Sequence, residues 1–192
     1  MERLEKQLAF IHELHKIKNI FRRSVLPDSL RFENDAEHSW HIATMVLILE
    51  EYMEADTDIL KVLKMTLIHD IVEIYAGDTY CFDEDLNKEK AEREKESAEK
   101  IYGMLDDDQK NYFKNLWSEF EEAKTKEAIF ANVVDRLEPM LLHVEANGGG
   151  WVENGIKKHQ VEKRMQPVLD YGGEIGKYVR NVIDEFAKRG IL

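Results

Sequence analysis

Two histidines and two aspartates, His38, His69, Asp70 and Asp135, fall in three segments that read as separate helices. His38 stands in Glu37-His38-Ser39, His69-Asp70 lies near the end of a strongly apolar run, and Asp135 follows Asn132-Val133-Val134. Two imidazoles with two carboxylates make a mixed nitrogen and oxygen donor set, which suits a divalent first-row metal with positions left for water. Neighbouring residues on a helix point about 100° apart, so His69 and Asp70 can border one ion only if it sits in the crevice between them. Taken singly, each of these residues serves as well as a surface or capping group. The set carries the signal, and it requires three helices to converge. Cys81 is the only cysteine, which excludes an intramolecular disulfide and a thiolate zinc cage.

Glu73 follows His69 by four residues and Asp70 by three, so it shares their helical face. A carboxylate beside an activated water can accept its proton or give one to a leaving group. Asp78 follows Gly77 at the expected helix end, where a turn aspartate also satisfies backbone donors. Glu37 could orient a ligating imidazole through its second ring nitrogen. Alternatively it occupies a first helical turn, where a carboxylate is favoured. His41 reads as buried or as an outer partner of the site. Trp40, Trp117 and Trp151 read as core or interface aromatics.

The elements that must position these groups are helical. Residues 4–21 carry Leu4, Leu8, Ile11, Leu14, Ile17 and Phe21 near a 3.6-residue period. Residues 23–34, with Pro27, Asp28, Ser29 and Asn34, read as a loop. Asp35 is the expected cap of a helix running to about Tyr52. A third helix opens at Asp56-Thr57-Asp58 and ends near Gly77, and residues 78–87 read as an ordered loop. The mixed charges of 88–103 predict a solvated helix, followed by a helix from Asp106 to about Trp117. A long helix covers about 121–146, with Pro139 inside it, and Gly148-Gly149-Gly150 stops it. Two more helices fill 151–187, with Pro167 near their junction or in a first turn. No strand pattern stands out. The expectation is an all-α chain forming a single domain over 1–192.

Among the 192 residues, 27 Lys and Arg face 39 Asp and Glu, a net charge of −12, and 43% are hydrophobic. That is enough apolar material for a sizeable core. The acidic balance argues against a nucleic-acid groove and against an anionic membrane surface, while a local basic pocket can still hold a phosphate. The N-terminus lacks the apolar stretch of a signal peptide and no run reaches transmembrane length. A soluble cytoplasmic protein is expected.

Glu37-His38-Ser39, the run His69-Asp70-Ile71-Val72-Glu73-Ile74-Tyr75-Ala76-Gly77-Asp78-Thr79, and Asp135-Arg136-Leu137-Glu138-Pro139 together resemble the HD-domain metal-dependent phosphohydrolases. The likeness is to the branch of the bacterial 5'-deoxynucleotidases and their eukaryotic HD-domain relatives. Its motifs extend from about residue 19 to 151, with C-terminal helices over 152–192. The resemblance implies an all-helical HD fold and a homodimer. It implies one divalent ion (Mn, Co, Fe, Ni, Zn or Mg) held by His38, His69, Asp70 and Asp135. It makes Glu73 the acid/base residue and gives Asp78 a catalytic and substrate-binding place against the nucleoside and its sugar. Arg23, fifteen residues before His38, becomes the phosphate-binding arginine, with Arg22 beside it. A guanidinium fork is well shaped for a phosphate, although an arginine at a helix end is also favoured by the helix dipole. The chain departs from the branch at Ser24, where a tryptophan stands against the sugar.

The implied reaction is hydrolysis of a (deoxy)nucleoside 5'-monophosphate to nucleoside and phosphate. A phosphodiesterase or another small-phosphoester hydrolase could use the same metal site. A non-catalytic, metal-binding regulatory domain is the alternative from another class.

Overall fold

Helix α7 (Lys126–Glu145) is the element around which the others assemble in the computed structural model, which describes residues 2–27 and 31–192. Asp28 and Ser29 of the expected loop lie outside the described residues. Helices α2 (Asp35–Ile48), α3 (Ile59–Ile68), α6 (Asp107–Glu122) and α9 (Lys158–Tyr171) all pack on α7. Phe130, Ala131, Val133 and Val134 of α7 are buried among them. Helix α10 (Gly173–Lys188) lies on α9 through Ile175, Val179, Val182, Ile183 and Phe186, an amphipathic stripe at helical spacing.

Side chains set the helix starts. Asn34 Oδ1 accepts the Glu37 N–H at the head of α2, and Asp58 accepts the Lys61 N–H at the head of α3. Thr125 Oγ1 accepts the Ala128 N–H at the head of α7. The expected cap at Asp35 is therefore corrected by one residue. Asn34 holds the extended backbone that a cap needs, and Asp35 is the first helical residue, fully buried and turned toward the site.

The first helix ends earlier than its periodicity suggests. Helix α1 (Arg3–Glu13) passes into a 3₁₀ turn over Leu14–Asn19 and then into strand β1 (Phe21–Val25). Strand β1 pairs antiparallel with β2 (Phe32–Asn34), Phe21 opposite Asn34 and Val25 opposite Phe32. The expectation of no strand is overturned here for a physical reason. The inward positions of β1 are polar, Arg22 and Ser24, while Phe21 is exposed. The ribbon thus inverts the apolar-in alternation by which strands are recognised.

The third predicted helix is also divided. After α3, His69–Val72 form a 3₁₀ turn and Glu73–Ala76 a single α-turn, α4, closed by Gly77 at φ 75°. Helix α5 (Glu84–Tyr102) begins at an Asp83 cap and is solvated on one side only. Its Ala98, Ile101 and Tyr102 belong to the core.

Pro139 lies inside α7 as expected and removes the N–H that would bond to the Asp135 carbonyl four residues earlier. Pro167 lies inside α9, not at its junction or in its first turn. Both Pro167 and Lys163, whose carbonyl it leaves without a partner, are on the exposed side, where water can serve instead.

The three-glycine break ends α7 and opens a short helix, α8 (Gly149–Glu153), whose Trp151 packs against Phe186. Gly148 has φ 93°, and a Cβ there would lie 2.6 Å from Ile191 Cγ2. Gly148→Ala is expected to destabilise the fold by about 1–3 kcal/mol, from left-handed strain and crowding together. A urea midpoint equal to wild type would contradict it. Among the described residues, no helix is long and apolar enough to cross a membrane.

Candidate metal centre

Helices α2, α7 and the 3₁₀ turn after α3 bring His38, His69 and Asp135 together with one ligand atom of each within 4.8 Å of the others. All three are buried. His38 Nδ1 donates to Glu138 Oε2 at 3.1 Å, which leaves Nε2 facing Asp135 Oδ1 at 3.1 Å. His69 Nδ1 donates to the Thr66 carbonyl at 3.0 Å. Its Nε2 points at Asp70 Oδ2, 3.1 Å away, and at Asp135 Oδ1, 3.5 Å away, with no hydrogen-bond partner. Each ring therefore has one nitrogen tied to an outer partner and the other turned into a common space, the arrangement of imidazoles that bind metals. Asp70 Oδ2 completes the group, 4.0 Å from His38 Nε2.

The electrostatics suit a divalent cation. Burial would lower His69, but Asp70 and Asp135 outweigh it and hold the imidazole well above its usual range. Burial and Arg22 likewise oppose the His38 cation, and Asp135 and Glu138 still raise it. Asp35 is pushed up to about 8 by burial and by Asp70. Glu33 is also pushed up to about 8, by burial and by Glu138. Buried carboxylates thus outnumber the cations among them, and a divalent ion offsets such a surplus. With no thiolate and two imidazoles, the donors fit a first-row divalent metal.

Arg22 is almost buried and donates to Asp70 Oδ2 at 2.7 Å, with Asp35 Oδ1 at 3.5 Å. It holds the same Asp70 oxygen that faces His69. Glu138, fully buried, receives both His38 and His41, the latter at 3.0 Å. Sequence reasoning missed Glu138 as a functional group, although it stands one helical turn after Asp135 in a mostly apolar helix. Glu37 does not orient His38. It pairs with Arg31 at 2.6 Å and accepts the Asn34 N–H within its capping box. His41 is half-buried beside Glu138, which is the outer place its spacing suggested.

A cavity of ≈ 230 Å³ opens beside His69. Arg23, Ser24, Glu73 and Asp78 border it together with His69, Asp70 and Asp135. Glu73 is 4% exposed, and its Oε2 has no hydrogen-bond partner. Burial, then Asp70, Asp35 and Asp78, hold its carboxyl well above the usual carboxylate range. Asp78 is raised by burial against the pull of Arg22. Arg23 is exposed at the rim, whereas Ser24 is buried. The far wall includes Met140, Trp151 and Met165. Trp40, by contrast, is 68% exposed and belongs to no core.

The HD-domain family model matches residues 14–188. A solved structure from Magnetospirillum magnetotacticum, described as a predicted metal-dependent phosphohydrolase, is 44% identical. It superposes with a TM-score of 0.92 over 99% of this chain and 95% of its own. The 5'-deoxynucleotidase HDDC2 of Xenopus laevis is 29% identical over 160 residues, 83% of this chain and 70% of that protein. The protein of the same name from Dictyostelium discoideum is 25% identical over 181 residues, 91% of each chain.

Proposed function

Because the chain belongs to the HD-domain family and is a metal-dependent phosphohydrolase, we propose that it removes phosphate from nucleoside 5'-monophosphates. The observation that carries this reading is the cavity, which joins an imidazole–carboxylate cage to an arginine rim and an unpartnered buried carboxylate. Similarity to the HDDC2 5'-deoxynucleotidases supports the nucleotide part of it.

In this reading His38, His69, Asp70 and Asp135 hold the ion. A divalent ion there supplies Lewis acidity toward a phosphoryl oxygen and makes a nearby water more acidic. The outer hydrogen bonds keep the two imidazoles in the tautomer that offers Nε2. Glu73 Oε2 takes the proton of the attacking water, a role for which a carboxyl held above its usual range is suited. Arg23 meets the phosphate at the rim, and its guanidinium stabilises the charge that develops on the phosphoryl oxygens. Asp78 holds the sugar. Attack in line with the ester oxygen breaks the P–O bond, the leaving oxygen takes a proton from solvent, and nucleoside and inorganic phosphate are released without a covalent enzyme intermediate. Ser24 places a short side chain where an aromatic would press on the sugar, so both ribose and 2'-deoxyribose fit.

The test is release of inorganic phosphate by metal-reconstituted protein. Release is expected from ribo- and deoxyribonucleoside 5'-monophosphates at comparable kcat/KM, and none from a phosphodiester. Turnover confined to diesters, or to phosphomonoesters that lack a nucleoside, would overturn the nucleotide reading.

A further inference from the structure

Two more guanidiniums border the same cavity from helices α7 and α9, those of Arg136 and Arg164. Both approach the Asp135 oxygen that the imidazoles do not use. Arg136 Nη1 lies 3.9 Å from Asp135 Oδ2, and Arg164 Nη2 lies 3.7 Å from it. Neither distance is a hydrogen bond. Arg136 is fixed by Asn132, whose Oδ1 accepts from Nη1 at 2.6 Å, and its Nε is buried without a partner. Arginine keeps its proton in proteins, so two like charges converge on the cavity with only one shared carboxylate oxygen between them.

We propose that Arg136 and Arg164 form an anion clamp that takes the dianionic phosphate of the substrate. The proposal rests on the phosphohydrolase reading above and deepens it. Two guanidiniums side by side suit a dianion. Asp135 is shared between them and the imidazoles, and Arg22 is engaged by Asp70 and Asp35. On the α7–α9 side two positive charges thus share one carboxylate, while Glu73, Asp78, Glu94 and Glu121 border the cavity elsewhere. A phosphomonoester near neutral pH brings up to two negative charges, and a phosphodiester brings one. Asp135 ties the clamp to the metal cage, since its Oδ1 faces the imidazoles and its Oδ2 faces the arginines. A phosphate reacting at the cage is thus held from the α7–α9 side as well as by Arg23 at the β1 rim. The clamp selects monoesters over diesters.

The experiment titrates the metal-loaded full chain with inorganic phosphate and, as the monoanion, with dimethyl phosphate. Arg164→Gln and Arg136→Gln are each expected to weaken inorganic phosphate about tenfold or more, the loss of a hydrogen bond to a charged group. Dimethyl phosphate should change less, and the metal content should stay as in wild type. Arg164→Gln alters a half-exposed side chain and serves alone if Arg136→Gln does not fold. Arg164→Lys should recover part of the affinity, because it keeps the charge and loses the fork. Folded variants that bind inorganic phosphate as tightly as wild type overturn the clamp. So do variants that lose metal while their loaded fraction keeps its phosphate affinity, since the arginines then only buttress Asp135. A wild-type protein that binds phosphate through both arginines but leaves nucleoside 5'-monophosphates intact supports the clamp and removes only the nucleotide reading.

Discussion

Asp135→Ala is expected to abolish divalent-metal binding and to lower kcat/KM for phosphomonoester hydrolysis by about 10³-fold or more, the several kcal/mol that a Lewis acid contributes. Asp135 is the shared neighbour of both imidazoles, with Oδ1 at 3.1 Å from His38 Nε2 and 3.5 Å from His69 Nε2. Its removal leaves the two rings with Asp70 alone, whose Oδ2 is 3.1 Å from His69 Nε2 but 4.0 Å from His38 Nε2. The same change has a thermodynamic signature. A ligand present at a hundred times its Kd stabilises the protein that binds it by about 2.7 kcal/mol. Wild-type protein should therefore gain thermal stability when the ion is restored after chelation, and Asp135→Ala should not. Metal analysis and thermal melts with and without chelator check both statements. A variant that keeps its ion and its turnover would remove Asp135 from the centre.

Glu73→Gln is expected to lower kcat by about 10² to 10⁴, the usual contribution of a positioned general base, while leaving metal content and phosphate affinity near wild type. Glutamine keeps the shape of the side chain but cannot take a proton. Glu73 has no hydrogen-bond partner at Oε2 and is enclosed, so the substitution should cost little stability. Measuring kcat beside metal stoichiometry separates a lost proton acceptor from a lost ligand. Full turnover in Glu73→Gln would assign the proton transfer to another group.

Much of the helical architecture was legible because apolar positions at 3.6-residue spacing mark faces that must be buried, as in α7 and α10. The three segments carrying His38, His69-Asp70 and Asp135 could be found from residue type, and their meeting needed the fold. Four things resisted reading. The β1–β2 ribbon turns Arg22 inward, and an arginine in a short polar run looks solvated. The 3₁₀ turn at His69–Val72 makes roughly three residues per turn, so a uniform α-helix misstates the directions of His69, Asp70 and Glu73. The outer partners Glu138 and Thr66 act through a side chain and a carbonyl whose roles appear only when the imidazoles are in place. Arg136 and Arg164 belong to separate helices, and nothing in their spacing announces that they share a cavity.

The ribbon has one further consequence. Successive residues of a strand face opposite sides, and β1 uses that alternation to send Arg22 inward to Asp70 and to leave Arg23 at the rim. Inserting or deleting a single residue in β1 would exchange these two arginines, giving the buried carboxylates the wrong neighbour. A change of two residues would restore the order. The site therefore depends on the parity of a chain length as well as on the residues that touch it, and a frame of that kind is invisible to any inspection of side chains alone.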